Sequence, residues 1–294
     1  MKLITFDAGQ GPRLGALAND QVIDLAEVSQ GDFPADMRAF LELGEAGIET
    51  ARSAIEQALT NGQTTLVEGV KILAPILNPS KIIAVGLNYM DHCREQNIDP
   101  PQSPILFTKF PSSIIGPDDA IRWDPALTSQ VDFEAELAVV IGRPARHVAE
   151  TAALDYVAGY TICQDVSARD LQLGDGQWIR GKSLDTFCPL GPYLATRDEI
   201  ADPQNLAIRC TVNDTVMQDS TTAEMIFGIA FLIEYMSRAF TLLPGDLIVT
   251  GTPDGVGLFR SPKIFLKNGD KVITEIEGLG KLTNLCVEGT TFPS

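Results

Sequence analysis

From residue 80 onward the apolar residues gather in runs of strand length, and one stretch alone keeps helical spacing. Strand runs fall at 82–85 (stopped by Gly86), 246–250, 271–277 and 281–287, and residues 207–218 read as a hairpin around Asn213-Asp214. Helical spacing persists over 223–239, where Ile226, Ile229, Ile233 and Met236 recur and Thr221 or Thr222 offers a cap. Many strands with one or two helices predict a strand-rich α+β fold, not an alternating βαβ sheet. No GxGxxG follows a strand and no GxxxxGK[ST] occurs, so a dinucleotide or phosphate loop is not expected.

The first 72 residues read as a small α+β unit of their own. Strands are expected at 2–6, 13–18 and 22–26, with Asn19-Asp20 as a turn, followed by a helix over 36–60, or two shorter helices, since Gly44 and Gly47 weaken its middle. Pro75 and Pro79 mark the passage into a larger domain, 73–294. Inside it, residues 92–131 read as a long irregular region with six prolines, interrupted by an apolar strand at 105–109.

Charge narrows the function classes. Thirty-nine acidic residues against 22 basic give a net charge of -17, which opposes binding to nucleic acid or to an anionic membrane surface. The five cysteines are widely spaced with no CxxC pair, as in a reducing compartment, and no signal-like segment or 18-residue apolar span is visible; the cytoplasm is the expectation. A small anionic substrate would need local positive charge within this acidic chain.

Carboxylates cluster in Val131-Asp132-Phe133-Glu134-Ala135-Glu136-Leu137. On a strand, Asp132, Glu134 and Glu136 would share one face. Beside the apolar run Leu137–Ile141 such a row needs a counter-ion, whereas on a wet edge it is ordinary solvated charge. Asp165 follows a second apolar approach, and two glutamates with one aspartate form a hard oxygen set suited to Mg²⁺, Mn²⁺ or Ca²⁺. His92 and Glu95 are spaced i, i+3, which on a helix lets the carboxylate orient the imidazole as a general base or leaves both as surface groups. His147 reads as a surface residue. Lys109, Lys182, Arg169 and the glycine-rich turn Thr250–Gly257 offer positive charge and N–H donors, or ordinary surface and corner structure.

Together these segments carry a resemblance. Gly86–Glu95, Val131–Leu137, Asp165–Gln172, Lys182–Phe187 and Thr250–Gly257 occur in the order seen in the fumarylacetoacetate hydrolase family, which the sequence resembles in its bacterial form with a short N-terminal unit. Gln164 departs from the asparagine usual before the metal aspartate. The resemblance implies a rolled, mixed β-sheet catalytic domain, a homodimer, and Mg²⁺ or Mn²⁺ on Glu134, Glu136 and Asp165. It implies His92 and Glu95 as the water-activating dyad and Lys182 near metal and substrate. It also implies Thr252 on the substrate carboxylate, Arg169 and Gln172 lining the cavity, and Lys109 close by, next to a lid within 92–131.

The activity so implied is hydrolysis of the C3–C4 bond of a 2,4-dioxo acid, an acylpyruvate from aromatic-compound or sugar-acid breakdown, to pyruvate and a carboxylic acid. The same platform supports decarboxylation of oxaloacetate, or isomerisation or decarboxylation in homoprotocatechuate breakdown.

Overall fold

The computed structural model describes residues 1–19, 21–66 and 69–289. Its centre is the strand Ala135–Ile141, buried on both faces, which explains why its sequence turns fully apolar instead of alternating. Val157–Gln164 pairs antiparallel with it on one side and Leu247–Val249 on the other. The sheet continues through Cys188–Thr196 to the N-terminal strands Lys2–Asp7, Pro12–Ala18 and Gln21–Asp24. In the opposite direction it continues through Ile82–Gly86, joined in parallel to Leu247–Val249, to Ile105–Lys109. A second sheet of five strands runs Thr215–Thr221, Ala207–Val212, Lys271–Ile276, Gly280–Glu288 and Ala120–Trp123. The fold is α+β with mixed sheets, as the sequence predicts.

Two cores follow from the pleat. Leu137, Val139 and Ile141 pack with Ile208, Val272 and Leu282 of the second sheet and with Ile229, Leu232, Ile233 and Met236 of the helix Ile229–Ala239. Ala138 and Val140 pack with Phe40, Leu41, Ala51 and Ile55 of the N-terminal helices.

Several elements differ from their sequence reading. The helical stretch 36–60 takes the form of two helices, Met37–Leu41 and Gly44–Asn61, the alternative its glycines leave open, with Gly44 at φ +65. The helix expected from residue 223 begins at Ile229, with Gly228 at its N-cap; Thr221 instead caps the single 3₁₀ turn Thr222–Glu224. The third N-terminal strand stops at Asp24, whose side chain caps the short helix Leu25–Val28. The Asn19-Asp20 turn falls partly outside the described residues: Asn19 has φ +51, and Asp20 is not described. Residues 92–131 are more ordered than their prolines suggest, with the helix Met90–Gln96 and short strands Ile105–Lys109, Ile114–Ile115 and Ala120–Trp123.

Candidate active site

The three carboxylates meet because two strands end together. Asp165 follows directly on Val157–Gln164, and its N–H donates to Glu134 O at 2.9 Å. Glu136 lies one residue into Ala135–Ile141, opposite Cys163. One oxygen from each of Glu134, Glu136 and Asp165 lies within 4.8 Å of the others, and all three residues are buried.

The expected row of three on one strand is corrected at Asp132. The chain leaves the ladder at Phe133 and Glu134, so Asp132 belongs to a separate ribbon, Val131–Asp132 against Ser167–Ala168. Two glutamine side chains replace the missing ladder partners. Gln164 Oε1 accepts the Glu134 N–H, and Gln218 Oε1 accepts the Ala135 N–H at 2.9 Å. Gln164 also donates to Thr274 Oγ1 at 2.9 Å, so it braces Glu134 against the second sheet.

Cations surround two of the three carboxylates. Lys182 Nζ, on the short helix Ile179–Lys182, lies 2.7 Å from both Glu134 Oε2 and Asp165 Oδ2. Arg169 NH1 lies 2.7 Å from Glu134 Oε1, and Lys109 Nζ lies 2.6 Å from Asp165 Oδ1. Burial alone would raise the Glu134 carboxyl, but Lys182 and Arg169 outweigh it and hold the group down to about 2. Burial opposes the Lys182 charge, yet Asp165 and Glu134 raise its pKa above the ordinary lysine value.

Glu136 is the exception. Among the described residues it has no ion-pair partner, and its carboxylate accepts from the Gly251 N–H at 2.6 Å. Burial pushes its pKa well above the ordinary value, and the charges of Asp165 and Glu134 push it further. A buried carboxylate without a counter-charge, beside two more hard oxygen donors, fits a divalent cation held by Glu134, Glu136 and Asp165. No thiolate or imidazole is needed to complete such a donor set for Mg²⁺ or Mn²⁺.

The dyad stands on the helix Met90–Gln96. His92 Nδ1 is 3.1 Å from Glu95 Oε2, and Glu95 Oε1 accepts the Gly255 N–H at 3.0 Å. With Nδ1 engaged, Nε2 is the ring nitrogen left for the cavity. Asn88 ties this helix down by donating to Thr250 O at 2.7 Å and to Phe227 O at 3.1 Å. His92, Glu134, Glu136, Arg169, Gln172, Lys182 and Thr252 line one cavity of about 120 Å³. Phe107, Trp178 and Phe259 wall it. Trp178 lies against Gly86, where a Cβ would come within 2.3 Å of the indole. His147 is exposed and does not line the cavity, as its sequence context suggests.

Two expected substrate contacts look different in three dimensions. Lys109 is 1% exposed and does not line the cavity; it sits behind Asp165 and contacts Lys182 O. The Thr252 hydroxyl, at the cavity wall, donates to Ala135 O at 2.9 Å and accepts from Gln218 Nε2 at 2.8 Å, so a substrate carboxylate would have to compete with Ala135 O for its proton. Arg169 and Gln172 do line the cavity, joined by a 3.0 Å hydrogen bond. Sequence reasoning missed Gln218, Asn88 and the structural role of Asp132, because distant segments satisfy their partners and no local spacing signals them.

Residues 81–287 match the family described as fumarylacetoacetate (FAA) hydrolase, C-terminal. The chain belongs to the fumarylacetoacetate hydrolase family. It is 48% identical to the mitochondrial oxaloacetate tautomerase fahd2 of Xenopus laevis, over 97% of this chain and 89% of that protein. The fold matches the fumarylacetoacetate hydrolase of psychrophilic Exiguobacterium antarcticum with a TM-score of 0.85 at 35% identity, covering 98% of this chain and all of that one. It also matches the maleylpyruvate hydrolase of Sphingobium sp. SYK-6, solved in complex with manganese(II) and pyruvate, with a TM-score of 0.80 at 31% identity over 99% of this chain and all of that one. No helix among the described residues is long and apolar enough to cross a membrane.

Proposed function

We propose that this protein is a Mg²⁺- or Mn²⁺-dependent enzyme that moves a proton at C3 of a small 2-oxo dicarboxylic acid, interconverting the keto and enol forms of oxaloacetate. The observation that carries the reading is His92, backed by Glu95 at 3.1 Å, lining the same small cavity as Glu134, Glu136 and Lys182. The 48% identity to an oxaloacetate tautomerase over nearly the whole chain supports the substrate. So does size: a cavity of about 120 Å³ suits a compact acid, since one of about 150 Å³ holds benzene.

A divalent cation on Glu134, Glu136 and Asp165 would supply positive charge for the C1 carboxylate and C2 oxygen of the substrate. His92 Nε2 takes the proton from C3, and Glu95 offsets the imidazolium charge. The Lys182 ammonium offsets the negative charge that moves onto the C2 oxygen, and the His92 imidazolium then returns its proton to that oxygen, giving the enol and restoring the neutral base. Arg169 and Gln172 hold the Glu134 side of the cavity in shape, and the Phe107–Trp178 wall limits water.

A second reading is hydrolysis of an acylpyruvate, with His92 activating water toward C4. The likeness to a maleylpyruvate hydrolase at 31% identity favours it. Both readings pass through an enolate, and they part on whether water reaches C4. The test supplies Mg²⁺ and follows the ultraviolet absorbance of freshly dissolved enol-oxaloacetate, with acetylpyruvate and fumarylpyruvate in parallel and pyruvate and CO₂ quantified. Faster equilibration without pyruvate is expected. Pyruvate and acid from the acylpyruvates would select hydrolysis, and CO₂ from oxaloacetate would select decarboxylation. Equilibration no faster than with the His92→Gln variant would remove the tautomerase reading. Assembly as a homodimer is part of the proposal and is checked by light scattering.

A further inference from the structure

Asp132 is a fully buried carboxylate that the proposed chemistry does not use. Its Oδ2 accepts from Arg169 Nε at 2.8 Å and from the Leu258 N–H at 3.0 Å, and its Oδ1 accepts from the Gly257 N–H at 2.8 Å. Arg169 is therefore shared: the same guanidinium lies 2.7 Å from Glu134 Oε1. Gly257 is required for this approach, because a Cβ there would stand 2.6 Å from Asp132 Oδ1 and 1.8 Å from Ile264 O.

We propose that Asp132 is a positioning residue that sets the charge of the cation site, by holding Arg169 and offsetting its charge so that the cluster stays net negative. The proposal rests on the reading of Glu134, Glu136 and Asp165 as the cation ligands. Around the three ligands the carboxylates Asp132, Glu134, Glu136 and Asp165 stand against the cations Lys109, Lys182 and Arg169, which leaves one negative charge when Glu136 is ionised, as ligation of a cation requires. Without the Asp132 charge these groups are neutral together, and Glu134 is the one carboxylate left paired with Arg169. A divalent cation then competes with an undivided guanidinium for Glu134 in a site with no net attraction.

Charge and shape make opposite demands, which gives the test its force. Asp132→Asn removes one negative charge with little change of shape, Arg169→Gln removes one positive charge, and the double variant restores the original balance. The experiment titrates Mn²⁺ into the full chain by calorimetry, with circular dichroism to verify the fold. Asp132→Asn is expected to weaken Mn²⁺ binding about tenfold, Arg169→Gln to tighten it about tenfold, and the double variant to return within about twofold of the unaltered protein.

Weaker binding in both single variants would overturn the proposal, because it would mean that the pair acts only as a structural brace. Unchanged binding in Asp132→Asn would overturn it equally. If Asp132→Asn does not fold, Arg169→Gln decides alone: tightening supports the proposal and weakening overturns it. Failure of the unaltered protein to bind Mn²⁺ would instead overturn the cation-site reading and the proposal with it, whereas normal binding there with the wrong variant pattern overturns the proposal only.

Discussion

Gly255 donates its backbone N–H to Glu95 at 3.0 Å, so the carboxylate facing His92 is fixed from the glycine-rich turn rather than by its own helix. The same turn also donates from Gly251 to Glu136 and from Gly257 and Leu258 to Asp132. One short segment therefore holds three carboxylates with three different tasks. If His92 is the base, His92→Gln lowers kcat about 10²–10⁴-fold while Mn²⁺ binding by calorimetry stays unchanged. Glu95→Gln, which keeps the ring packed but weakens its orientation, is expected to lower kcat by a smaller factor, about tenfold to 100-fold. A His92 variant with full activity would reassign the base.

The turn itself can be tested at Gly255. Its φ is +93, and a Cβ would come within 2.2 Å of Met217 O, which is backbone and has little room to move. Gly255→Ala is expected to cost at least about 2 kcal/mol of stability and to lower kcat along with the displaced Glu95 contact. Gly176 supplies the comparison, since its φ is +71 but nothing lies within 4 Å of a Cβ built there. Gly176→Ala should cost only about 1 kcal/mol and leave kcat intact. Thermal unfolding and steady-state kinetics on the pair check both halves; equal behaviour of the two variants would deny the close approach at Gly255.

What could be read from sequence divides along a physical line. The strand Ala135–Ile141, the hairpin at Asn213-Asp214 and the proximity of His92 to Glu95 depend on local spacing, and spacing is visible in a string of residues. The break at Phe133 and Glu134 is not. It exists because Gln164 and Gln218, from two other strands, satisfy the N–H groups of Glu134 and Ala135. The same holds for Lys109. As a lysine ending an apolar strand it reads as a substrate contact, yet the antiparallel pairing of Ile82 with Lys109 belongs to a sheet edge that carries its ammonium behind Asp165. The start of the last long helix at Ile229 was hidden because Ile226 keeps the helical period while Gly228 sets the cap.

Glu136 predicts a pH dependence with a definite sign. Its folded pKa lies well above the ordinary 4.5, chiefly through burial. From pH 4.5 upward the folded state binds more protons than the unfolded one, so this group removes stability as pH rises through its raised value. Glu134 works the other way: its contribution is present above 4.5 and is lost as pH falls toward about 2. In chelator at neutral pH, Glu136→Gln should therefore stabilise the protein by about 1–3 kcal/mol, while losing the rise in Tm that Mn²⁺ gives the unaltered chain. Thermal scans at several pH values, with chelator and with Mn²⁺, measure both effects. A Glu136→Gln variant that is less stable in chelator at neutral pH would mean that the carboxylate is already compensated.

Lys109 separates a buried charge from a surface one. Its side chain is 0% exposed, as is that of its partner Asp165, so Lys109→Met leaves Asp165 with Lys182 as its sole cation among the described residues. Removing one member of a buried pair is expected to cost about 3–5 kcal/mol, because the remaining charge stays out of water. Lys71 forms an ion pair of similar length with Asp119, 2.7 Å, but its side chain is 59% exposed. Lys71→Met should cost less than about 1 kcal/mol. Urea unfolding of the two variants at neutral pH makes the comparison directly. If Lys109→Met proved as stable as Lys71→Met, Asp165 would have to be compensated by Lys182 alone, and Lys109 would have no structural claim on the site.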